Sequence, residues 1–244
     1  NLKETFEAFE RYSDHHYSVA WIDCLAKGDN VGKCLLMTGD FANDGDLAYK
    51  EKKKLNIPFT FPSFALNSMS VRIFNWLYYK KAPRGVSQQK VEIDNFFYPL
   101  DSIMNWNRIY GKRGFTQYQF ILPKEISYNG LKDILQIIAD SGKGSFLAVL
   151  KLYGKENENY LSFPMEGYSL ALDFKIDDGL FKLLDRLDEI VLKYKGRIYL
   201  AKDARVSKET IEQGYPEIEK FRNLRKEHGM EKKLNSLQSK RVSI

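Results

Sequence analysis

Cysteine and histidine are scarce in this chain, which has two cysteines and three histidines among its 244 residues. Metal sites of the zinc type need several such ligands at short, regular spacing, and His15, His16 and His228 show no such spacing with the cysteines. No stretch comes near the roughly 18–20 consecutive apolar residues of a membrane-spanning helix, and the first residues lack the pattern of a secretory signal peptide. These absences favour a cytoplasmic chain without a metal site. Peripheral attachment to the inner membrane is kept as an alternative.

The two cysteines flank a glycine-containing loop, AKGDNVGK (26–33), between two strand-like stretches. If these stretches form a hairpin, the sulfur atoms of Cys24 and Cys34 become cross-strand neighbours. In a reducing compartment we expect free thiols with a structural, half-buried role.

Positive charge exceeds negative charge, with 38 Lys and Arg against 32 Asp and Glu, a net charge of +6 and a pI of about 9.0. Much of the excess lies in a basic run and in the tail from Lys220 onward; the run holds Lys50, Lys52, Lys53 and Lys54. Such runs are usually solvated surface, although an anionic partner would also fit. The chain lacks the signatures of zinc fingers, RNA-recognition motifs and basic DNA-binding helices, so we expect no nucleic acid partner.

Apolar residues make up 43% of the chain and aromatic residues 14%, enough for a substantial core. Before residue 114 the hydrophobic periodicity predicts a helix over 2–13, strands over 17–24 and 33–39, an excursion loop over 41–65 and a largely buried helix over 67–81. It then predicts a strand from residue 85, an aromatic turn, and a helix that begins with Asp101 or Ser102 as N-cap and is ended by Gly111 and Gly114.

The most regular part of the sequence lies between Gly114 and Lys202. Its periodicity predicts strand, helix, strand, strand, helix and strand, over 116–122, 129–141, 145–153, 168–175, 180–194 and 197–202. This order is the split βαβ, or ferredoxin-like, arrangement, which places the first and third strands in the centre of the sheet. We therefore predict an α+β fold, an antiparallel sheet with flanking helices. It should form one domain over 1–244, with a ferredoxin-like unit over about 115–202 and a helical tail over 206–244.

In the tail, Ser207 is the expected N-cap of one helix and Pro216 the expected start of another.

Polar side chains share the predicted sheet face that the helices leave open. Alternation along the strands assigns Gln117, Gln119, Lys151, Ser169 and Lys202 to this face. Carboxamides beside small residues suit the wall of a binding site. A structural polar face or a contact with another domain fits the pattern equally well. Lys202 is either a strand-end lysine paired with Asp203 or a cation held over a substrate or cofactor.

Three long segments carry a resemblance to a known family. They are FFYPLDSIMNWNRIYGKRGFTQYQFILP (96–123), SFLAVLKLYGKENENYLSFPMEGYSLALDF (145–174) and RIYLAKDARVSKETIEQGYPEIEKFRNLRK (197–226), and YSVAWIDC near the start also fits. The sequence resembles the C-terminal substrate-binding, or cap, part of FAD-linked oxidoreductases of the vanillyl-alcohol-oxidase type. It is most similar to the decaprenylphosphoryl-ribose 2′-oxidase group and more distantly similar to the aldonolactone oxidases.

The resemblance implies FAD as cofactor, held mainly by an N-terminal FAD-binding domain that these residues do not include. The chain begins with Asn rather than Met and has no G-x-G-x-x-G motif, which agrees with a missing upstream part. The implied reaction is oxidation of a sugar or other alcohol, free or lipid-linked, by hydride transfer to the flavin.

By the same resemblance, Lys202 matches the family's lysine beside the flavin and the substrate. Lys151, Gln117, Gln119 and Tyr98 match substrate-pocket residues. Lys202 is also the best candidate for a general base, if burial depresses its pKa. The third strand of the unit departs from the family, because Ser169 and Ala171 stand where the decaprenylphosphoryl-ribose oxidases carry Asn and Cys.

A stand-alone ferredoxin-like module that binds an anionic ligand or nucleic acid is the alternative function. Glutamines stand where an RNA-binding sheet would show stacking aromatics, which argues against it. Without its flavin domain the chain is expected to be inactive, and its open sheet face could make it a homodimer.

Overall fold

A six-stranded antiparallel sheet forms the centre of the computed structural model, which describes residues 1–49, 54–83 and 85–244. The strands are β1 (Tyr17–Ile22), β2 (Cys34–Gly39), β3 (Leu55–Asn56), β4 (Ile103–Met104), β5 (Phe115–Pro123), β6 (Ala148–Tyr153), β7 (Gly167–Lys175) and β8 (Arg197–Ile198). The helices are α1 (Leu2–Arg11), α2 (Ser68–Lys81), α3 (Ile93–Phe97), α4 (Ser127–Ser141), α5 (Leu180–Lys193), α6 (Lys208–Gly214), α7 (Ile218–Glu227) and α8 (Leu237–Arg241). The α+β class is therefore confirmed. Lys50, Lys52 and Lys53 of the basic run lie outside the described residues.

The strand order in the large sheet is β2-β1-β6-β7-β5-β8, and β3 pairs with β4 in a separate two-stranded sheet. Within the predicted β-α-β-β-α-β unit, the first and third strands, β5 and β7, are the central pair, as expected from the split βαβ order. They pair over nine residues, from Phe115 opposite Lys175 to Pro123 opposite Gly167. Only glycine fits at the end of this ladder, because a Cβ at position 167 would lie 1.9 Å from the Leu122 carbonyl oxygen.

The main core lies between the sheet and the helices α1, α4 and α5. Alternate residues of the central strands, such as Phe120, Leu170 and Leu172, point into it and are fully buried. α4 meets them with apolar residues at helical spacing: Leu131, Ile134, Leu135 and Ile138. Burial of each such side chain stabilises the fold by about 1.5–3 kcal/mol. The helices therefore cover one face of the sheet. The opposite face carries the polar residues and a smaller buried cluster of Ile121, Phe163 and Met165.

The N-terminal elements agree with the sequence prediction. Asn1 caps α1 through a capping box with Glu4, and β1 and β2 form the expected antiparallel hairpin. The cysteines, however, are not cross-strand neighbours: Cys34 pairs with Ile22, whereas Cys24 lies beyond the end of β1. Both thiols are free, and the Sγ atom of buried Cys24 contacts Ser145, with burial raising the pKa of that thiol to about 12.

Three predictions for residues 67–111 need correction. α2 forms at the expected place with Asn67 as its N-cap, but only Val71 and Asn75 of its residues are buried. The expected strand from residue 85 and the expected helix from Ser102 are both absent from the described residues there. α3, two 3₁₀ turns and the short strand β4 replace them. Aromatic stacking explains the irregular path, because Tyr110 packs between Phe115 and Phe146, at centroid distances of 4.6 and 5.6 Å.

The tail follows the expected helical pattern. Ser207 caps α6 by accepting a hydrogen bond from the Thr210 amide, and α7 begins two residues after Pro216. The division of the chain into one domain and a tail stays a prediction. The main core cluster does contain residues from both ends, such as Leu2 and Val242.

Candidate functional site

Four polar side chains converge on the sheet face opposite the helices, all from the central strands β5 and β7. The strand register places Gln117 opposite Asp173, and Gln119 opposite Ala171 and diagonal to Ser169. Ser169 and Asp173 are 1% and 2% exposed, and Gln119 is 8% exposed. The alternation read from the sequence thus assigns these residues to one face correctly. The set also includes Asp173, whose role the sequence did not indicate.

Gln119 is fixed in place by its neighbours. Its Nε2 atom donates a hydrogen bond of 3.1 Å to the Ser169 hydroxyl. Tyr153 of β6 lies beside both side chains, since hydrogen bonds with Gln119 and Ser169 act on the pKa of its hydroxyl, which burial raises. A carboxamide held in this way presents its remaining polar atoms in one orientation, which is what recognition of a hydroxyl group requires.

Two cations flank this polar floor. Lys151 lies on β6 directly opposite Ser169, and Lys202 lines a crevice together with Gln117 and Gln119. Both lysines are exposed, and no acidic group of the described residues lies within ion-pair distance of either ammonium. The alternative in which Lys202 pairs with Asp203 is therefore wrong. Because Lys202 is exposed, this chain does not supply the burial that a role as general base requires.

The backbone around Lys202 differs from the prediction. β8 ends at Ile198, and Leu200–Lys202 form a 3₁₀ turn where a continuous strand was expected. Asp203 fixes this turn by accepting hydrogen bonds from the Arg205 and Val206 amides, and it forms a 2.7 Å ion pair with Arg241 of α8. Burial opposes ionisation of Asp203, but these partners hold its pKa below the ordinary value.

The C-terminal helix α8 also supports the Leu200–Lys202 turn through a second side chain, that of Gln238. Gln238 donates from Nε2 to the Leu200 carbonyl oxygen at 2.6 Å, and Arg241 also reaches the Val206 carbonyl oxygen. A segment some 35 residues further along the chain thus positions Lys202. No pattern in the tail sequence could have indicated this, because the contacts join main-chain atoms to side chains from a distant segment.

Asp173 is the most electrostatically perturbed group on the face. Burial raises the pKa of its carboxyl from 3.8 to about 6, while a hydrogen bond from Gln117 and the positive charge of Lys202 act in the opposite direction. Its Oδ2 atom has no hydrogen-bond partner in the described part of the chain, nor has the buried hydroxyl of Tyr110. The negative charge of Asp173 also contributes to the raised pKa of Tyr110, so these two groups are neighbours.

Tyr98 stands apart from the other predicted residues. It is 56% exposed at the end of α3, and its ring contacts Phe97 at 6.2 Å. Phe97 in turn contacts Tyr17 of β1. Among the hydrogen bonds, ion pairs and ring contacts of residues 1–49, 54–83 and 85–244, none joins Tyr98 to the polar floor. The structure therefore brings together Gln117, Gln119, Lys151, Ser169 and Lys202 but not Tyr98.

Comparison with known proteins gives relatives for most of the chain. Decaprenylphosphoryl-beta-D-ribose oxidase of Mycolicibacterium smegmatis is 35% identical over 238 residues, which cover 93% of this chain and 51% of the relative. An uncharacterised protein in the mprA 5′ region of Streptomyces coelicolor is 38% identical over 96 residues, 39% of this chain and 26% of the relative. No family model matches the chain.

The chain therefore spans about half the length of the first of these curated relatives and about a quarter of the second. An identity of 35% that extends over nearly the whole chain is nevertheless specific. It confirms that this chain is related to the decaprenylphosphoryl-ribose oxidase group of vanillyl-alcohol-oxidase-type FAD-linked oxidoreductases.

Proposed function

We propose that this chain is the substrate-binding, or cap, domain of an FAD-dependent oxidoreductase that oxidises a CH–OH group of a sugar or another alcohol. The similarity to decaprenylphosphoryl-beta-D-ribose oxidase carries this proposal. Because the chain spans 51% of that relative, the FAD would be held mainly by an N-terminal domain outside these residues, the partner of the sheet face described above.

The side chains of the sheet face fit such a cofactor and substrate. The face offers carboxamide and hydroxyl groups in its middle and two exposed ammonium groups at its sides, with its one carboxyl group buried. This set hydrogen-bonds hydroxyl groups and stabilises negative charge, but it leaves no exposed anion to repel an electron-rich ring or a phosphate. When bound, FAD would supply the hydride acceptor.

Lys202 would act closest to the reacting carbon. Its compact ammonium would lie over the substrate oxygen and stabilise the negative charge that develops as the hydroxyl proton leaves. Gln117 and Gln119 would orient the same hydroxyl, with Gln119 held by Ser169. Lys151, at the opposite side of the face, would bind an anionic group of the substrate. Tyr98 stays a predicted substrate residue without a contact to this set.

Asp173 would act as a positioning residue for Lys202. A buried carboxylate near an exposed ammonium attracts it toward the sheet and limits its range of positions. A role as general base fits Lys202 less well in this chain, because its ammonium is exposed. Asp173 is already buried, so cover by the missing domain would desolvate the Lys202 ammonium as well and strengthen their attraction.

The substrate class follows in part from the third strand of the unit. Ser169 and Ala171 have smaller side chains than the Asn and Cys expected from the resemblance, and Ser169 is committed to its hydrogen bond with Gln119. We propose a lipid-linked or free sugar alcohol that differs from decaprenylphosphoryl-ribose in its substituents.

The visible spectrum of the full-length protein that contains this chain tests the proposal. Flavin absorption, bleached by the correct alcohol, is the expected result. A colourless protein, even after reconstitution with FAD, would refute the assignment. Salt-sensitive binding of nucleic acid by a colourless protein would instead support the alternative module.

A further inference from the structure

Residues Lys54 to Val91 have an unusual charge distribution. These 38 residues contain six Lys and Arg and no Asp or Glu. Of the cations, Lys90 is neutralised by Asp44 and Asp46, which precede the segment. Lys54 has Glu51 three residues before it, whereas Arg72, Lys80, Lys81 and Arg84 lie eight or more residues from the nearest acidic residue in sequence. A segment of this length without acidic residues favours contact with a negatively charged surface.

The helix α2, at the centre of this segment, exposes the apolar side chains that were expected to be buried. Met69, Ile73, Trp76 and Leu77 are 67%, 52%, 52% and 54% exposed. Their spacing of three and four residues places them on one side of the helix, together with Arg72 and Lys80. We call these six residues the α2 face. The inward side is fixed by buried Val71 and by Asn75, whose Nδ2 atom donates to Asp23 at 2.6 Å.

The segments on either side of α2 are also rich in exposed apolar side chains. Of the 28 large apolar side chains that are exposed in the described residues, 19 lie between Phe41 and Met104. They include Leu55, Phe59 and Phe64, which are 70%, 62% and 79% exposed. Scattered apolar side chains are normal on a protein surface, but a concentration of this kind marks an interaction site.

Two lysine ammonium groups lie over aromatic rings of α2. The Lys80 Nζ atom lies 4.4 Å from the Trp76 ring centroid, and Lys33 lies 3.8 Å from that of Tyr79, one turn of α2 further on. The carboxyl group that α2 contacts, Asp23, is on the inward side. An outward side with aliphatic groups, a tryptophan and cations, but without carboxylates, has the chemistry of a helix at the boundary between lipid head groups and acyl chains.

We propose that the α2 face docks on the surface of an anionic lipid bilayer. The apolar side chains would enter the acyl boundary. Arg72 and Lys80 of the face, with the adjacent Lys81, would contact lipid phosphates, and each cation would add to the affinity. Aliphatic Met69, Ile73 and Leu77 would gain nothing from a nucleic acid, which favours a bilayer over that polyanion. In the described residues no helix is long and apolar enough to cross a membrane.

Co-sedimentation of the full-length protein with vesicles tests the docking. We expect binding to vesicles of equal parts phosphatidylglycerol and phosphatidylcholine, weaker binding to phosphatidylcholine alone, and partial release at 0.5 M salt. The double variants Ile73→Ser with Trp76→Ser and Lys80→Glu with Lys81→Glu should each weaken binding by about tenfold or more. A matched control on α5, Phe181→Ser with Lys182→Glu, replaces an exposed aromatic residue and an adjacent lysine and should leave binding unchanged.

Trp76 provides a direct readout of insertion. Vesicles with brominated acyl chains should quench part of the tryptophan emission, and Trp76→Phe should remove that part while retaining binding. The docking is refuted if the protein stays in the supernatant, or if the α2 and α5 variants lose binding equally. It is refuted as well if the parent protein does not bind vesicles and the α2 variants instead lose a dimer, as seen by light scattering, or lose the contact with the flavin domain.

Docking of the α2 face on a bilayer does not depend on the proposed oxidase activity. Flavin content is measured on the same preparations, so that a colourless protein that binds vesicles separates failure of the oxidase proposal from failure of the docking proposal.

Discussion

Replacement of Asp173 by Asn tests the electrostatics of the candidate site most directly. Asn keeps the size of the side chain and its ability to bond with Gln117, but it cannot ionise. Burial in the folded chain raises the pKa of this carboxyl to about 6, against 3.8 for the ordinary group. The folded state therefore binds this proton more tightly than the unfolded state, and the wild-type carboxyl favours folding only at low pH.

The magnitude follows from the size of the shift. A difference of about two pKa units corresponds to about 3 kcal/mol between the fully protonated and fully ionised limits, of which about 2 kcal/mol develops between pH 4.5 and 7.5. The wild-type chain should lose this stability as the pH rises through 6. Asp173→Asn should not lose this stability. The free energy of unfolding of the variant should therefore rise relative to that of the wild type by about 2 kcal/mol between pH 4.5 and 7.5.

Urea unfolding of the 244-residue chain at several pH values measures this difference. The matched control is Asp14→Asn, which removes an exposed carboxyl group and should leave the pH dependence unchanged. A stability difference between Asp173→Asn and wild type that stays constant from pH 4.5 to 7.5 would show that the carboxyl is not perturbed. The reasoning about the buried site would then fail.

Lys202→Ala should lower kcat of the full-length oxidase by at least about 100-fold. Lys182→Ala, which removes a matched exposed lysine of α5, should leave kcat unchanged. Equal kcat values for the two variants would show that Lys202 is not part of the site. Tyr110→Phe removes a buried hydroxyl that has no hydrogen-bond partner in the described residues. It should stabilise the chain by about 1 kcal/mol in urea unfolding. A loss of stability would show that the hydroxyl does have a partner. Arg241→Ala should lower the free energy of unfolding by about 1–3 kcal/mol, because it removes the ion-pair partner of buried Asp203. It should also lower kcat, because Asp203 fixes the turn that holds Lys202. An unchanged kcat would show that α8 does not support the site. The isolated chain should show no alcohol oxidation, and measurable turnover would contradict the need for a second domain.

Regular alternation along β5 and β7 made the sheet face predictable from the sequence. A strand has a period of two, so the positions of Gln117, Gln119 and Ser169 relative to the core follow from their spacing alone. The same alternation assigned Asp173 to this face, but its importance was not visible. Whether a carboxyl is perturbed depends on burial by residues from other segments, here including Tyr110.

The errors occurred where distant contacts override local pattern. The apolar run of α2 predicts burial, but the fold offers an inward position only to Val71 and Asn75. Tyr110, stacked between Phe115 and Phe146, draws the segment before β5 into 3₁₀ turns. In the segment before β5, local helix propensity is worth only a few tenths of a kcal/mol per residue, less than the tertiary packing that opposes it.

The sequence by itself determined the α+β class, the order of the strands from β5 to β8, the polar face of the central strands and the relationship to FAD-linked oxidoreductases. Each depends on periodicity or on long matched segments, which are properties of the chain alone. The tertiary structure decided the conformation of the Lys202 turn, its support by Gln238 and Arg241, the burial of Asp173 and the exposure of the α2 face. These features depend on which segments meet in space, and contacts between residues far apart in sequence leave no periodic trace in it.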